Sequence, residues 1–499
     1  MSNRQPPHIA DVTGPQILRR HLIALILITA LVWAVPPAAM VVCALAAAYA
    51  LRGSRQALEA LILLALLLLM AKGPLSVVRW LVLFSAFGRV IWDTAIMDGR
   101  GPKILWPLVI FCLYVFVFSL FASDYPDVSI FKLVSFGVGS ITILVLFHRT
   151  HDITDYWLSV FYTLGVFILG ASLPLYFFGP GYDTNGAGFQ GILSHPQTYG
   201  PVLAPFAALT TGLFLFRGSR NKVLVGAVLL AWYGMYSSGS RTSILSTGLA
   251  LAITTVFILP REGGLRRLFV PRQIQFGTYI VAACLIFAVL WNWTEFEERA
   301  RGFLIKDDPQ GEVDLGTSFQ DSRGRLVAWS MYNFRRSPII GIGFGVPSDD
   351  WDWRTGRLQR GFLGLPTSAS VEKGFLPTAV LEEVGIVGTS IFVVLLLALF
   401  WPMIKLGSPL MLWMSLSALL TNLGEATFFS LGGIGFFFFL VFGFCYSRAE
   451  AQLAAVGPPT VPISPAYESA DQRRFGPYGR RRHLHPKHPS LAASRSARQ

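Results

Sequence analysis

The chain contains a long series of apolar segments, each near the length at which a helix crosses a lipid bilayer. A bilayer core of about 30 Å needs roughly 20 apolar residues, with a working range of about 17 to 25. Only 14% of the 499 residues are charged and 53% are hydrophobic, whereas an average soluble domain carries about 25% charged residues. The chain cannot build the polar shell of a soluble protein, so we predict an all-α polytopic membrane protein. Its apolar segments are residues 22–35, 37–51, 57–71, 74–92, 104–121, 129–147, 157–178, 199–216, 222–237, 241–259, 276–293, 385–404, 409–424 and 428–446.

Several of these segments are short, and Pro36-Pro37 interrupts the first pair. We therefore predict 12 to 14 transmembrane helices. The expected organisation is a cytoplasmic N-terminal segment (1–21), a first group of transmembrane helices (22–293), one large periplasmic loop (294–371), C-terminal transmembrane helices (372–446) and a basic cytoplasmic tail (447–499).

Basic residues give the orientation, because short cytoplasmic loops are enriched in Lys and Arg. Alternate connections carry them, whereas the short connections 122–128 and 179–198 contain none. Both termini are therefore predicted to be cytoplasmic. The basic connections hold Arg52/Arg55, Arg100/Lys103, Arg149, Arg217/Arg220/Lys222, Arg261/Arg266/Arg267/Arg272 and Lys405.

The cysteines and the tail carry little chemistry. Cys43, Cys112, Cys284 and Cys445 all lie in apolar runs, where they are expected to act as small hydrophobic residues. The tail is rich in Pro, Ser, Ala and Arg and cannot bury enough apolar surface to fold. We interpret it as a solvated tail, with contact to anionic lipid as the alternative, and we expect no nucleic-acid binding.

Ionisable residues at membrane depth are costly and are therefore functional candidates. Three elements on the predicted outer side contain them: a loop with His195 and Gln197, a Gly-Ser-Arg-Thr turn with Arg241, and the large loop, which ends near Glu372. An arginine binds phosphate oxygens through a planar two-pronged group. The alternative for Arg241 is an interfacial anchor that reaches the lipid headgroups.

Glu372 is a candidate general base, with the alternative that it only complements a helix dipole. His195 is a candidate base or phosphate donor, although by spacing alone an exposed loop histidine is the simpler interpretation. In the large loop, Ser322 is predicted to cap an amphipathic helix with Arg323 and Arg325 in its first turn. Cations at that position oppose the helix dipole, and an anionic partner would relieve them. The apolar face of this helix would carry Val327, Met331 and Phe334.

Four short elements in this order resemble the O-antigen polymerase and ligase family, whose members join undecaprenyl-diphosphate-linked glycans. Gln197 stands where the family usually has Asn, and Gln190 where a basic residue is common. Family ligases place His at the position of Glu372, whereas many polymerases carry Glu, so the resemblance favours a polymerase. The elements are Gly191–Gly200 with His195-Pro196-Gln197; Gly239-Ser240-Arg241-Thr242; Arg325, Trp329, Pro338 and Gly341–Gly345; and Glu372, Phe375, Leu376, Glu383, Gly385 and Gly388.

This resemblance implies a GT-C-like architecture in the bacterial inner membrane, with an active site that faces the periplasm. It implies a metal-independent, inverting glycosyl transfer without a cofactor. Arg241 and Arg325 would stabilise the diphosphate, and Glu372 would accept the proton of the acceptor hydroxyl. His195, Gln197, Arg323 and Trp329 would help to bind the substrate. The implied partners are the lipid-linked oligosaccharide, membrane lipids and a chain-length regulator.

Two other functions stay open. One is ligation of a finished glycan to lipid A-core or to a protein. The other is transport of a lipid-linked glycan, for which internal repeats and paired broken helices with charges at the membrane midplane are expected. The sequence shows no such repeat. A structural membrane scaffold is the simplest alternative.

Overall fold

Helices form wherever the sequence predicts an apolar span, within the residues that the computed structural model describes. These residues are 15–72, 75–96, 101–182, 188–217, 222–258, 323–348, 359–360, 366–368 and 373–456. Outside them lie the predicted span 276–293, Cys284, Ser322, Glu372 and most of the basic tail. Each of the other thirteen predicted segments contains a helix.

The described residues form fourteen α-helices and one short antiparallel strand pair, so the prediction of an all-α fold is confirmed. In the pair, β1 (Gln359–Arg360) lies beside β2 (Pro366–Ser368), with Gln359 opposite Ser368. The helices are α1 (Arg19–Ala34), α2 (Ala38–Ala50), α3 (Ser54–Met70), α4 (Leu75–Ile96), α5 (Leu105–Phe121), α6 (Pro126–Arg149), α7 (Thr154–Ser172), α8 (Pro196–Arg217), α9 (Lys222–Ser237), α10 (Arg241–Ile258), α11 (Arg325–Arg336), α12 (Leu376–Leu406), α13 (Pro409–Leu420) and α14 (Ile434–Val456).

The helices have the length and surface of a membrane protein. Five helical segments are long and apolar enough to cross a membrane, and five shorter apolar helices accompany them in the described residues. Large apolar side chains point outward, such as Trp106 (75% exposed) and Phe121 (85%). Continuous apolar surface is a liability in water and is expected against lipid. The chain is therefore a polytopic membrane protein. The long segments are Pro126–Arg149, His151–Phe177, Pro196–Leu215, Leu376–Leu406 and Ile434–Ala455.

An aromatic cluster joins two loops to the helical core. Phe111 of α5 stacks on Phe429, with 5.7 Å between ring centroids. Phe344 lies edge-on to Phe429 at 5.1 Å and also contacts Phe136 of α6. Phe392 of α12 also packs on Phe429, again at 5.1 Å. The loop that carries Phe344 and the loop before α14 are thus both fixed to the bundle.

Ion pairs join the helix ends at the opposite end of the bundle, where the basic connections lie. Arg448 of α14 contacts Asp155 of α7 at 2.7 Å, and His148 of α6 contacts Glu450 at 3.0 Å. These pairs explain why α14 continues to Val456, beyond the predicted end of the last span at 446. Its charged turns have partners, so the helix extends past the apolar stretch.

The three cysteines within the described residues have the apolar surroundings that the sequence predicts. Cys43 and Cys445 are buried free thiols, and Cys112 is a half-buried one.

Candidate functional site

Helix α12 is interrupted at Gly385, whose backbone has φ 64° and ψ −171°. The N–H groups of Ile386 and Val387 donate to the carbonyls of Pro338 (2.9 Å) and Ile339 (3.2 Å). The 21 residues after the break, 386–406, extend about 31 Å at a rise of about 1.5 Å per residue. This length matches a bilayer core, so the break lies near the end of the apolar part of α12.

The two carbonyls just before the break also bond outside the helix. The Glu382 carbonyl accepts the N–H of Ile342 (2.9 Å), and the Glu383 carbonyl accepts that of Gly343 (3.2 Å). Gly341 packs directly on this backbone, since a Cβ there would come within 2.5 Å of the Glu383 carbonyl. The glycine-rich segment is therefore an internal partner for the broken helix.

The Glu382 side chain joins α11 to α12. It is completely buried and accepts hydrogen bonds from Ser330 Oγ (2.8 Å), Asn333 Nδ2 (2.7 Å) and Ser348 Oγ (2.9 Å). Lys373 Nζ lies 3.0 Å from Glu382 Oε2, close enough for an ion pair, although its angles do not meet those of a hydrogen bond. A buried carboxylate needs such partners, and here they fix the amphipathic helix in place.

Glu383, the next residue, has a separate set of partners. Lys132 Nζ of α6 lies 3.1 Å from both carboxylate oxygens, and the Gly345 N–H donates at 2.8 Å. Lys373 Nζ lies 3.5 Å from Glu383 Oε1. Lys132, Lys373, Glu382 and Glu383 form what we call the Glu–Lys cluster, which has two positive and two negative groups. Its carboxylates are paired, which suits them to hold the fold together rather than to accept a proton.

Arg323 forms an ion pair with Glu425, a residue of the loop between α13 and α14. Arg323 Nη2 lies 3.0 Å from Glu425 Oε1, and both side chains are less than one-fifth exposed. The Arg323 side chain passes next to Gly374. Gly424, the residue before Glu425, packs against the side chain of Thr242. Arg323 is therefore joined through this loop to the Gly-Ser-Arg-Thr turn.

Arg241 is the first residue of α10 and is partly buried. Gly239 adopts φ 66°, and its carbonyl accepts the Arg241 N–H at 3.0 Å. The tight turn places a cation at a helix N-terminus, where the dipole is already positive. Both features favour an anion at this point.

The loop before α8 lies against the same turn. A Cβ at Gly188 would overlap the Ser238 carbonyl, and one at Gly200 would overlap the Ser240 side chain. The His195 Nδ1 atom accepts the N–H of Gln197 at 3.1 Å, and burial lowers the pKa of the imidazole. His195 therefore accepts a backbone N–H at the start of α8, and its burial favours the uncharged imidazole. The Gln197 side chain is exposed.

Arg325 and Trp329 lie on the outward face of α11. Arg325 is exposed and Trp329 is 38% exposed, whereas Ser330 and Asn333 of the same helix are buried. Arg325 is thus not in the buried network, and Arg323 is the arginine that turns inward. Gly324 occupies the N-cap position of α11 without a side-chain cap, which differs from the predicted cap at Ser322, a residue outside the described ranges.

The structure brings parts of all four sequence elements to one end of the bundle. Within the described ranges, no group of three His, Cys, Asp or Glu side chains is placed to hold a metal ion. Comparison of the chain with protein-family models and with curated proteins finds no match.

Sequence reasoning missed the Glu–Lys cluster and the role of Glu425. Lys132 lies inside the apolar segment 129–147, and the cost of a charge at membrane depth is the signal that could have found it. Glu372 lies outside the described residues, but its neighbour Lys373 is buried in the cluster. The segment that follows Glu372 is therefore well anchored.

Proposed function

We propose that this protein is a polysaccharide polymerase that joins undecaprenyl-diphosphate-linked oligosaccharide units at the outer face of the bacterial inner membrane. One observation carries the proposal. The Arg241 turn and Arg323 belong to elements far apart in the sequence, and the Gly424-Glu425 loop joins them at one end of the bundle. Arginines beside a membrane surface suit the phosphate oxygens of a lipid diphosphate.

In the proposed reaction, the acceptor hydroxyl oxygen attacks the anomeric carbon of the donor sugar in a single displacement. The bond from that carbon to the diphosphate oxygen breaks, and its electron pair leaves with the diphosphate. Arg241 stabilises this charge, with Arg325 as a second cation from α11. Preorganised charges of this kind are often the largest contribution to catalysis.

Glu372 takes the proton of the acceptor hydroxyl in this proposal. The described carboxylates nearest to it in sequence, Glu382 and Glu383, already have lysine partners, which leaves Glu372 as the acid–base candidate. The change Glu372→Gln removes the proton acceptor with little change in shape. It should slow transfer and leave donor binding nearly intact, and unchanged turnover would remove Glu372 from the mechanism.

Ligation to lipid A-core or to a protein stays as the alternative within the same chemistry. The broken helix α12 gives a reason to keep lipid-linked glycan transport as well, since transporters build their sites at interrupted helices. Here a single interruption is seen among the described helices, near the end of the apolar part of α12, whereas the transporter pattern pairs breaks near the midplane.

Deletion of the gene followed by sizing of the surface glycans separates these functions. Loss of a polymerase leaves single repeat units on the carrier or on its acceptor. Long chains that remain on the lipid carrier would instead indicate a ligase. Glycans of unchanged length and amount would contradict both activities and would favour the transporter or the scaffold interpretation.

A further inference from the structure

The C-terminal end of α11 leads directly into the break of α12. Pro338 and Ile339 follow this helix closely, and their carbonyls accept the N–H groups of Ile386 and Val387 at 2.9 and 3.2 Å. Ile386 is the first residue of the stretch 386–406, whose length matches a bilayer core. The Ile339 and Ile386 side chains are 62% and 56% exposed, so apolar surface continues across the junction. The junction therefore marks one edge of the apolar part of the bundle.

Arg335 and Arg336, the last two residues of α11, lie very close to this edge. Arg336 is two residues before Pro338, so their Cα atoms are at most about 7 Å apart. The headgroup layer on each side of a bilayer is about 5–8 Å thick, since the whole bilayer measures about 40–45 Å and its core about 30 Å. Both arginines are exposed, and long basic side chains at such a boundary extend toward the headgroups. The two guanidinium groups are therefore within reach of lipid phosphates.

The charge of this segment is entirely positive. Residues 323–348 contain four arginines and no Asp or Glu. Arg323 has Glu425 as its partner, whereas the side chains of Arg335 and Arg336 have no ion-pair or hydrogen-bond partner among the residues that the structure describes. The helix dipole favours a cation at this end, but it does not neutralise two of them.

The surroundings of the two arginines favour a lipid over a soluble anion. Tyr332 lies one turn before Arg336 and is 56% exposed, and tyrosine is enriched where a membrane meets water. On the other side of the pair, Ile339 and Ile386 offer an exposed apolar surface. A phospholipid matches both parts, because its phosphate meets the arginines while its acyl chains cover the isoleucines. An acidic glycan or a free phosphate would leave the isoleucines uncovered.

We propose that Arg335 and Arg336 form a docking site for the headgroup of an anionic phospholipid, whose acyl chains lie on the outward surface at Ile339 and Ile386. A guanidinium binds phosphate oxygens through parallel donors. A zwitterionic headgroup brings its own cation, so it balances the two arginines less well than an anionic headgroup does. The bound lipid fixes the end of α11 to the edge of the membrane. This inference does not depend on the proposed function.

The test uses the full-length protein in nanodiscs of phosphatidylcholine, with and without an equal share of phosphatidylglycerol, and follows hydrogen exchange at residues 332–341. In the wild type, phosphatidylglycerol should slow this exchange at least about fivefold, the effect of one basic side chain at an anionic surface. Arg335→Gln with Arg336→Gln should remove the slowing. Because each protein is compared in both membranes, the contribution of the helix dipole cancels. Slowing of wild-type size in this double variant would overturn the proposal.

The matched control is Arg19→Gln with Arg20→Gln. It removes another adjacent pair of exposed arginines, at the start of α1. This pair lies at the opposite end of the bundle, where the neighbouring His21 contacts Tyr156 of α7 at 2.9 Å. The control should keep the slowing at residues 332–341. Loss of the slowing in the control as well would show that total charge is the cause, and would overturn the site.

Two additions to wild-type protein in pure phosphatidylcholine distinguish the sources of negative charge. Inorganic phosphate supplies the anion without a lipid, and oligogalacturonate supplies an acidic glycan. We expect neither to slow exchange at residues 332–341 as phosphatidylglycerol does. Equal slowing by inorganic phosphate would indicate a site for free phosphate, and equal slowing by oligogalacturonate would indicate a glycan site. Either result would contradict the lipid.

A second variant covers the case in which the Arg335/Arg336 double variant fails to fold. Ile339→Asp changes an exposed side chain and keeps the backbone carbonyl that bonds to Val387. Its carboxylate neutralises part of the positive charge and repels an anionic headgroup. The slowing by phosphatidylglycerol should therefore be lost in Ile339→Asp. A folded Ile339→Asp protein with a wild-type response would contradict the docking site.

Discussion

Lys132 of α6 and Glu383 of α12 are 251 residues apart in sequence, and the lysine Nζ lies 3.1 Å from both oxygens of the carboxylate. The contact places an ion pair inside the bundle, with the glutamate 3% exposed. Such pairs are expensive to form and very expensive to break. The Lys132–Glu383 pair also fixes α6 to the broken helix α12, which carries part of the candidate site.

Removal of one partner of this pair should destabilise the protein strongly. For Glu383→Ala we expect a loss of about 3–5 kcal/mol in the free energy of unfolding, because Lys132 is left charged and buried. The double variant Lys132→Met with Glu383→Leu should be much closer to the wild type. Unfolding by a denaturing detergent measures both. A double variant as unstable as Glu383→Ala would contradict the explanation by an uncompensated charge.

Glu382 should control how firmly α11 is held. The change Glu382→Ala removes the acceptor of Ser330 and Asn333, so α11 loses its polar contacts with α12. Hydrogen exchange at residues 325–336 should become faster. The matched control is Trp329→Ala, which alters the outward face of the same helix and should leave the exchange nearly unchanged. Equal exchange in Glu382→Ala and the wild type would show that other contacts hold α11.

Gly385 should tolerate no side chain. Its φ of 64° is unfavourable for other residues, and a Cβ would overlap the Ile339 carbonyl. Gly385→Ala should lower the melting temperature and the yield of folded protein. Gly248→Ala is the control, since a Cβ there has nothing within 4 Å and alanine favours a helix. Similar yields and melting temperatures for the two variants would contradict the strained break.

Arg241 should be needed as an arginine and not only as a positive charge. If it binds a diphosphate, Arg241→Lys keeps the charge and loses the two parallel donors. We expect normal insertion and melting temperature together with a loss of most polymer. Glycan sizing in a strain that carries only this variant measures the effect, with Arg52→Lys as the control. Full polymer length in the Arg241→Lys strain would exclude this role.

His195 should make stability depend on pH. Burial lowers its pKa in the folded state, so the unfolded chain binds a proton more readily. Stability should therefore fall as the pH drops below about 6.5, the usual histidine pKa, toward the lower pKa of the folded protein. In His195→Asn, which keeps an acceptor before α8, this part of the pH dependence should be absent. If the melting temperatures of the two proteins change by the same amount between pH 7 and pH 5, His195 is not the source of this pH dependence.

The sequence alone was enough to predict the helices of the described residues. Apolar length predicts a helix at each of the described spans, because a backbone in lipid must satisfy its own hydrogen bonds. The 3.6-residue period predicts the amphipathic helix α11, and the structure confirms it at Arg325–Arg336. The Gly-Ser-Arg-Thr element also indicates correctly that Arg241 begins a helix.

The side chains that face inward were decided by the tertiary structure. Arg323 and Arg325 are two residues apart, about 200° around a helix, and only the packing of α11 on α12 sends Arg323 to Glu425. The Glu–Lys cluster depends on partners from α6 and α12, whose distance in sequence hides their contact. Local pattern determines which segments become helices, because their hydrogen bonds are local. Which charges meet depends on how distant helices pack, because each buried charge needs a partner from another part of the chain.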